Sequence, residues 1–250
     1  MTEQFSPRAY AALLDAFTDL GYRDMRFAQA DPDQPHLVLR HDLDMSLQAA
    51  EAIAEIEAGR GMQASYFVLL RTEMYNPMSR AGRRSLAIVA ELGHEIGLHL
   101  DASLYPDDAA ALDAAAAREC DMLEQATGQA VTTISFHRPA QSLLGLDSRI
   151  GGRIHTYMPR YFNAMGYCSD SQGRWRFGPP LEHEAVEAKR ALQLLTHPIW
   201  WQEPADLSPV ERLDRFAAAR GELLRDELAA NCIPYRNSRT ASHREDKNET

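Results

Sequence analysis

Apolar positions along this chain recur in two rhythms. Over residues 7–20, Tyr10, Leu13, Leu14, Phe17 and Leu20 fall at helical spacing, and Gly21 stops them. The same rhythm predicts helices from about Ser46 to Ala58, over 78–92, over an alanine-rich 107–126 closed by Gly128, and over 208–230. Between them lie short apolar or β-branched runs at 37–41, 64–70, 95–100, 131–136, 167–169 and 192–196, which read as strands. Strands alternating with helices predict parallel pairing through right-handed crossovers, the α/β class.

Polar, titratable residues gather where the strand runs end. The first run ends in His41, Asp42 and Asp44, the third in His99 and Asp101, the fourth in His137 and Arg138, and later runs in Asp170 and His197. In parallel α/β folds the C-terminal strand edge is where sites are built. Asp42 and Asp44 are spaced i, i+2, so they face one side if the strand reaches them and share one loop if it does not. Like charges that close repel and raise each other's pKa, which calls for a metal ion or a catalytic role. The competing reading makes Asp44 the cap of the helix that starts near Ser46. Asp and His together form a plausible ligand set for zinc or a similar divalent metal. His94 and His99 do not form the zinc-protease pair, which needs histidines at i and i+4 on one helix, whereas these are five apart with Gly93 and Gly97 interrupting. In an extended segment 94 and 99 face opposite sides, and His99, at the strand end, is the candidate ligand.

Composition narrows the class. A chain of 250 residues suits one α/β barrel or large α/β domain, expected here over residues 1–236. The polar segment 237–250 has little to bury and predicts a disordered tail. The net charge is −10 with no basic cluster, which argues against a nucleic-acid partner. No run approaches the roughly 18 apolar residues of a membrane helix. The three cysteines, Cys120, Cys168 and Cys232, make no CxxC and no disulfide framework, and the first residues do not read as a signal peptide, so a cytoplasmic location is expected. Composition leaves the oligomeric state open.

Five segments together resemble a known family. They are the Asp42-x-Asp44 pair, Gly93-His-Glu-Ile-Gly-Leu-His99, Arg138-Pro139, Ser169-Asp170-Ser171 and Leu194-Leu-Thr-His197. Their order and spacing over roughly residues 37–200 resemble the polysaccharide deacetylases, the NodB-homology enzymes of carbohydrate esterase family 4. Arg40-His-Asp-Leu-Asp44, Phe136-His-Arg-Pro139 and His197-Pro-Ile-Trp-Trp201 look most like the WbmS-like branch. The resemblance implies a distorted (β/α) barrel that binds one divalent metal, zinc being the first choice, and removes an N-acetyl group from a sugar or glycan. It casts Asp42 as the catalytic base, Arg138 as the arginine that holds it, Asp170 as a supporting acid and His197 as the general acid. It casts Asp44 and His99 as metal ligands. The family's second metal histidine falls on Ser103, a poor zinc ligand. His137 is therefore expected as the third ligand. The alternatives are a barrel that hydrolyses another linear or cyclic amide C–N bond, and a non-catalytic carbohydrate-binding relic.

Overall fold

The apolar runs resolve into one parallel sheet in the computed structural model, which describes residues 5–245. The strands are β1 (Arg23–Asp24), β2 (His36–Leu43), β3 (Ser65–Val68), β4 (Glu95–Leu100), β5 (Thr133–Phe136), β6 (Ile154–His155), β7 (Gly166–Ser169) and β8 (Leu192–Thr196). The helices are α1 (Pro7–Asp19), α2 (Ala49–Ala58), α3 (Arg80–Glu91), α4 (Ala109–Thr127), the single turns α5 (Pro159–Phe162) and α6 (Glu184–Glu187), α7 (Pro209–Asn231) and α8 (Ile233–Glu245). Local chemistry sets several boundaries. Ser6 caps α1, accepting the Ala9 N–H at 3.0 Å, with Pro7 in the first turn. Asp108 caps α4, and Gly128 closes it at φ 72°, a conformation glycine adopts without a side-chain penalty.

The strand order is β6-β5-β4-β3-β2-β8-β7, with β1 paired to the start of β2. Every ladder is parallel. The two outermost strands, β6 and β7, are not paired with each other, so the barrel is open. It is nonetheless strongly curled. Arg40 on β2 reaches Ser135 on β5 at 2.5 Å, although β3 and β4 lie between. In a flat sheet three strand spacings would separate them by about 14 Å. The expected distorted (β/α) barrel is the architecture found.

Polarity rises along the barrel axis. The floor is an apolar plug of Phe27, Ala30, Val38, Phe67, Tyr161, Met165 and Ala191. Gly97 is required at this level, because a Cβ there would lie 2.5 Å from the Phe67 ring. Above the plug sits Arg40, which donates hydrogen bonds to Ser135, Tyr157 and Gln193. The titratable side chains lie beyond them, at the C-terminal edge. On the outer face of β2, Leu37, Leu39, His41 and Leu43 pack toward the buried stripe of α1 (Tyr10, Leu14, Phe17) and of α2 (Ala50, Ile53, Ala54, Glu57).

Four features differ from the sequence reading. β2 runs two residues past the expected 37–41, so Asp42 lies within the strand. β1 and β6 are two residues each, too short to leave a periodic signal. The chain also divides at Asp206/Leu207, short of the expected boundary at 236. The second unit holds α7 and α8. Ser208 and Glu211 form a reciprocal capping box at the start of α7, and Arg239 of α8 pairs with Glu222 and Asp226 of α7, at 3.2 Å each. Residues 237–245, expected in a disordered tail, are helical; 246–250 lie outside the described residues. Among the described residues, no helix is long and apolar enough to cross a membrane.

Candidate active site

Because side chains alternate along a strand, β2 aims Arg40 and Asp42 into the barrel and His41 out of it. Asp44 follows on the inner side, just beyond the strand end. It does not cap α2: Gln48 occupies that position, and Ser46 Oγ accepts the Ala49 N–H at 3.2 Å. The next strands bring in their own ends. His99 Nε2, on β4, lies 3.0 Å from Asp44 Oδ1 and 3.7 Å from Asp42 Oδ2. His137, just past β5, places Nδ1 3.5 Å from Asp44 Oδ1. The two imidazoles meet edge to face, with centroids 5.2 Å apart. From β8, His197 brings Nε2 to 3.8 Å from Asp44 Oδ2.

One donor atom each from Asp44, His99 and His137 lies within 4.8 Å of the others, forming a cluster with two imidazole nitrogens and one carboxylate oxygen. Zinc held at 2.0–2.1 Å by tetrahedral ligands sets those ligands about 3.3 Å apart. The separations of 3.0 and 3.5 Å from Asp44 Oδ1 bracket that value. The residues present therefore fit a divalent cation of the zinc type. Ser103 takes no part: it is exposed and donates its hydroxyl to Asp101, which also accepts the Ser103 N–H.

Asp42 is almost fully buried and is held from below. Arg40 Nε and one terminal nitrogen donate to its two oxygens at 3.0 and 2.8 Å, and Ser135 Oγ lies 3.3 Å from Oδ1. Burial favours the protonated acid, but the Arg40 guanidinium, together with His99 and His197, outweighs it and keeps the carboxyl below the usual carboxylate range. Asp44 is half-buried; desolvation pushes its pKa up, yet hydrogen bonds from His137 and His99 hold it well below that range. His197 has the opposite setting. Its Nδ1 lies 2.6 Å from Asp170 Oδ1, and Asp170 also accepts the His197 backbone N–H and, at 2.7 Å, the Trp201 indole N–H. Burial pulls the His197 pKa down, but the Asp170 charge and hydrogen bond raise it to about 9. By contrast, His99 Nδ1 is buried without a hydrogen-bond partner.

Of the residues singled out from sequence, Asp42, Asp44, His99, His137, Asp170 and His197 converge on this edge. Arg138 does not. It is exposed, and among the described residues it has no hydrogen bond or ion pair. Arg40, which the strand-end pattern does not single out, pairs with Asp42 instead. The correction has a simple cause: β2 extends through Asp42, so residues 40 and 42 share a face. His94 lies on the outer side, as strand parity against His99 expects. It accepts the Ala64 N–H at Nδ1, and its Nε2 is 3.0 Å from the Ala54 carbonyl.

Comparison with solved structures finds likenesses at low identity. A family 4 carbohydrate esterase from Bacillus anthracis is 15% identical, with 84% of this chain and 86% of that chain covered and a TM-score of 0.45. The chitin deacetylase from the fungal pathogen Colletotrichum lindemuthianum is 15% identical, covering 78% and 86%, with a TM-score of 0.45. A family 4 pseudoenzyme from Bacillus anthracis is 15% identical, covering 77% and 63%, with a TM-score of 0.43. No family model and no curated protein matches the sequence.

Proposed function

We propose that the protein is a metal-dependent hydrolase that removes an N-acetyl group from a sugar or glycan precursor. The carrying observation is that the Asp44–His99–His137 donor set shares one barrel mouth with a carboxylate held ionised and a histidine held protonated. A divalent cation held by Asp44, His99 and His137, zinc by preference, would polarise the acetyl carbonyl and make water a better acid. Asp42, fixed by Arg40, takes the proton of the attacking water. His197, charged below about pH 9, presents Nε2 to the site while Asp170 holds Nδ1, and it gives its proton to the leaving amine. Water and amide become acetate and a free amine. The Arg40–Asp44 and His197–Trp201 segments support a place beside the WbmS-like proteins. The wide spacing of Cys120, Cys168 and Cys232, with no CxxC, supports a reducing, cytoplasmic setting and a substrate made there.

Elemental analysis combined with an acetate-release assay on N-acetylated sugars tests this reading. One equivalent of metal and stoichiometric acetate are expected. Absence of both, even after zinc supplementation, would leave the relic. Metal with turnover of another amide and no acetate would leave the alternative C–N hydrolase.

A further inference from the structure

The structure assigns Arg138 a role in recognising an oxyanion, a carboxylate or phosphate, carried by the acetylated sugar. This deepens the deacetylase reading and rests on it. The backbone gives the first indication. Arg138 sits at φ 50°, in the left-handed region that side chains other than glycine, asparagine and aspartate rarely enter. It also precedes Pro139, and a residue before proline is pushed toward extended conformations. Both preferences are overridden at once, and such outliers gather at ligand-binding positions.

Nothing inside the protein repays this conformation through the Arg138 side chain. Arg40 already neutralises Asp42, with both of its bonds to the carboxylate made. Arg138 is left exposed and without a partner among the described residues. Arg71, another arginine after a strand end, is committed by contrast: it pairs with Glu119 at 3.2 Å and lies over the Tyr105 ring. Arg138 is also bonded through the chain to His137, whose Nδ1 belongs to the donor set. The Arg138 Cα therefore lies one residue, about 3.8 Å, from that of His137, and the exposed side chain it carries borders the donor set. A guanidinium offers planar, paired N–H donors that match carboxylate and phosphate oxygens. The chain carries a net charge of −10, so an anionic sugar gains no general attraction and needs a local cation.

The test compares matched substrates: an N-acetylhexosamine, its 1-phosphate, and an N-acetylhexosaminuronic acid. With wild-type enzyme, kcat/KM for acetate release should favour either or both anionic sugars by about 10–100-fold, the scale of one charge-assisted hydrogen-bonded contact. Which of the two is favoured distinguishes phosphate from carboxylate. Arg138→Asn tolerates the left-handed backbone, so metal content should hold and the preference for the anionic sugars should vanish. Equal rates for all three sugars with wild type, or an undiminished preference in Arg138→Asn, would overturn the assignment. Binding of the same sugars, measured calorimetrically, separates this inference from its foundation. Charge-selective binding that Arg138→Asn abolishes, without acetate release, would sink the deacetylase reading and keep the oxyanion site. Acetate release without charge preference would do the reverse.

Discussion

Alternate residues of β2 feed two buried acid–base clusters, and the contrast between them shows what makes one of them a site. On the outer face His41 is fully buried, with Nδ1 2.7 Å from Thr196 Oγ1 and Nε2 2.7 Å from Glu57 Oε1. Glu57 also accepts hydrogen bonds from Tyr10 at 2.5 Å and Tyr66 at 2.6 Å, and His94 lies 3.6 Å away. On the inner face Asp42 and Asp44 meet His99, His137 and His197. Residue types alone do not separate the clusters, since each combines carboxylate with imidazole. The outer cluster is closed and its acid is shared among hydroxyl and imidazole partners within the protein. The inner one is partly open, with Asp44 and His137 side chains 20% and 14% exposed, and it leaves His99 Nδ1 unpartnered. Satisfied polar networks hold a strand in place; incompletely satisfied ones are where chemistry is found.

If the inner cluster is catalytic, Asp42→Asn should lower turnover by about 10²–10⁴-fold, the usual share of a general base. The same variant should melt at a lower temperature, because buried Arg40 loses its carboxylate. Steady-state acetate release and thermal melts would check both, and near-normal turnover would place the base elsewhere. The outer cluster should respond only in stability. Glu57→Ala leaves His41, Tyr10 and Tyr66 buried without their acceptor and should cost about 3–5 kcal/mol by denaturant unfolding. The rate per folded molecule should change little. Glu57 is held below its ordinary pKa: burial opposes ionisation, but His41, His94 and Tyr10 together outweigh it. The folded state therefore binds fewer protons. The stabilisation is complete above the unfolded value of about 4.3 and is lost as pH falls through the lower folded value. Wild type should show that acid limb, and Glu57→Gln should blunt it.

Removing a donor sharpens the inner side further. His137→Ala should weaken zinc affinity by at least the 10–100-fold typical of losing a mere supporting partner. Unchanged stoichiometric zinc in that variant would remove His137 from the donor set. The smallest expected effect is a shift of profile. If His197 is the general acid, its charged form is the active one, and turnover should fall as pH rises through about 9. Asp170→Asn removes the charge that raises His197, and the alkaline limb should move toward the ordinary histidine value of about 6.5. A limb that stays near 9 in Asp170→Asn would assign it to another group.

Much of this is legible in the chain. Strand ends carrying Asp and His, together with the period of two, point to Asp42, Asp44, His99, His137 and His197, and the structure brings them together. The same parity rule, carried two residues back, places Arg40 beside Asp42. Arg40 escapes notice because a charged residue inside an apolar run reads as part of the strand. The displaced Arg138 is not foreseeable, because a left-handed residue before proline is a tertiary outcome that local preferences oppose. Glu57 is hidden for another reason: its partners Tyr10, His41, Tyr66 and His94 come from four other segments, and only the folded helix α2 brings it to them.

The position of β8 beside β2 has a consequence for the life of the chain before it is complete. The residues paired there, such as His41 and Thr196, are 155 positions apart. At about 5–20 residues per second, a ribosome needs on the order of 10–30 s to make the intervening stretch. Throughout that interval β2 lacks its neighbour and offers a bare apolar edge to any other strand nearby. His197 arrives with the same late segment. A nascent chain cut short before it would carry Asp42, Asp44, His99 and His137 without His197, and its bare strand edge would be sticky.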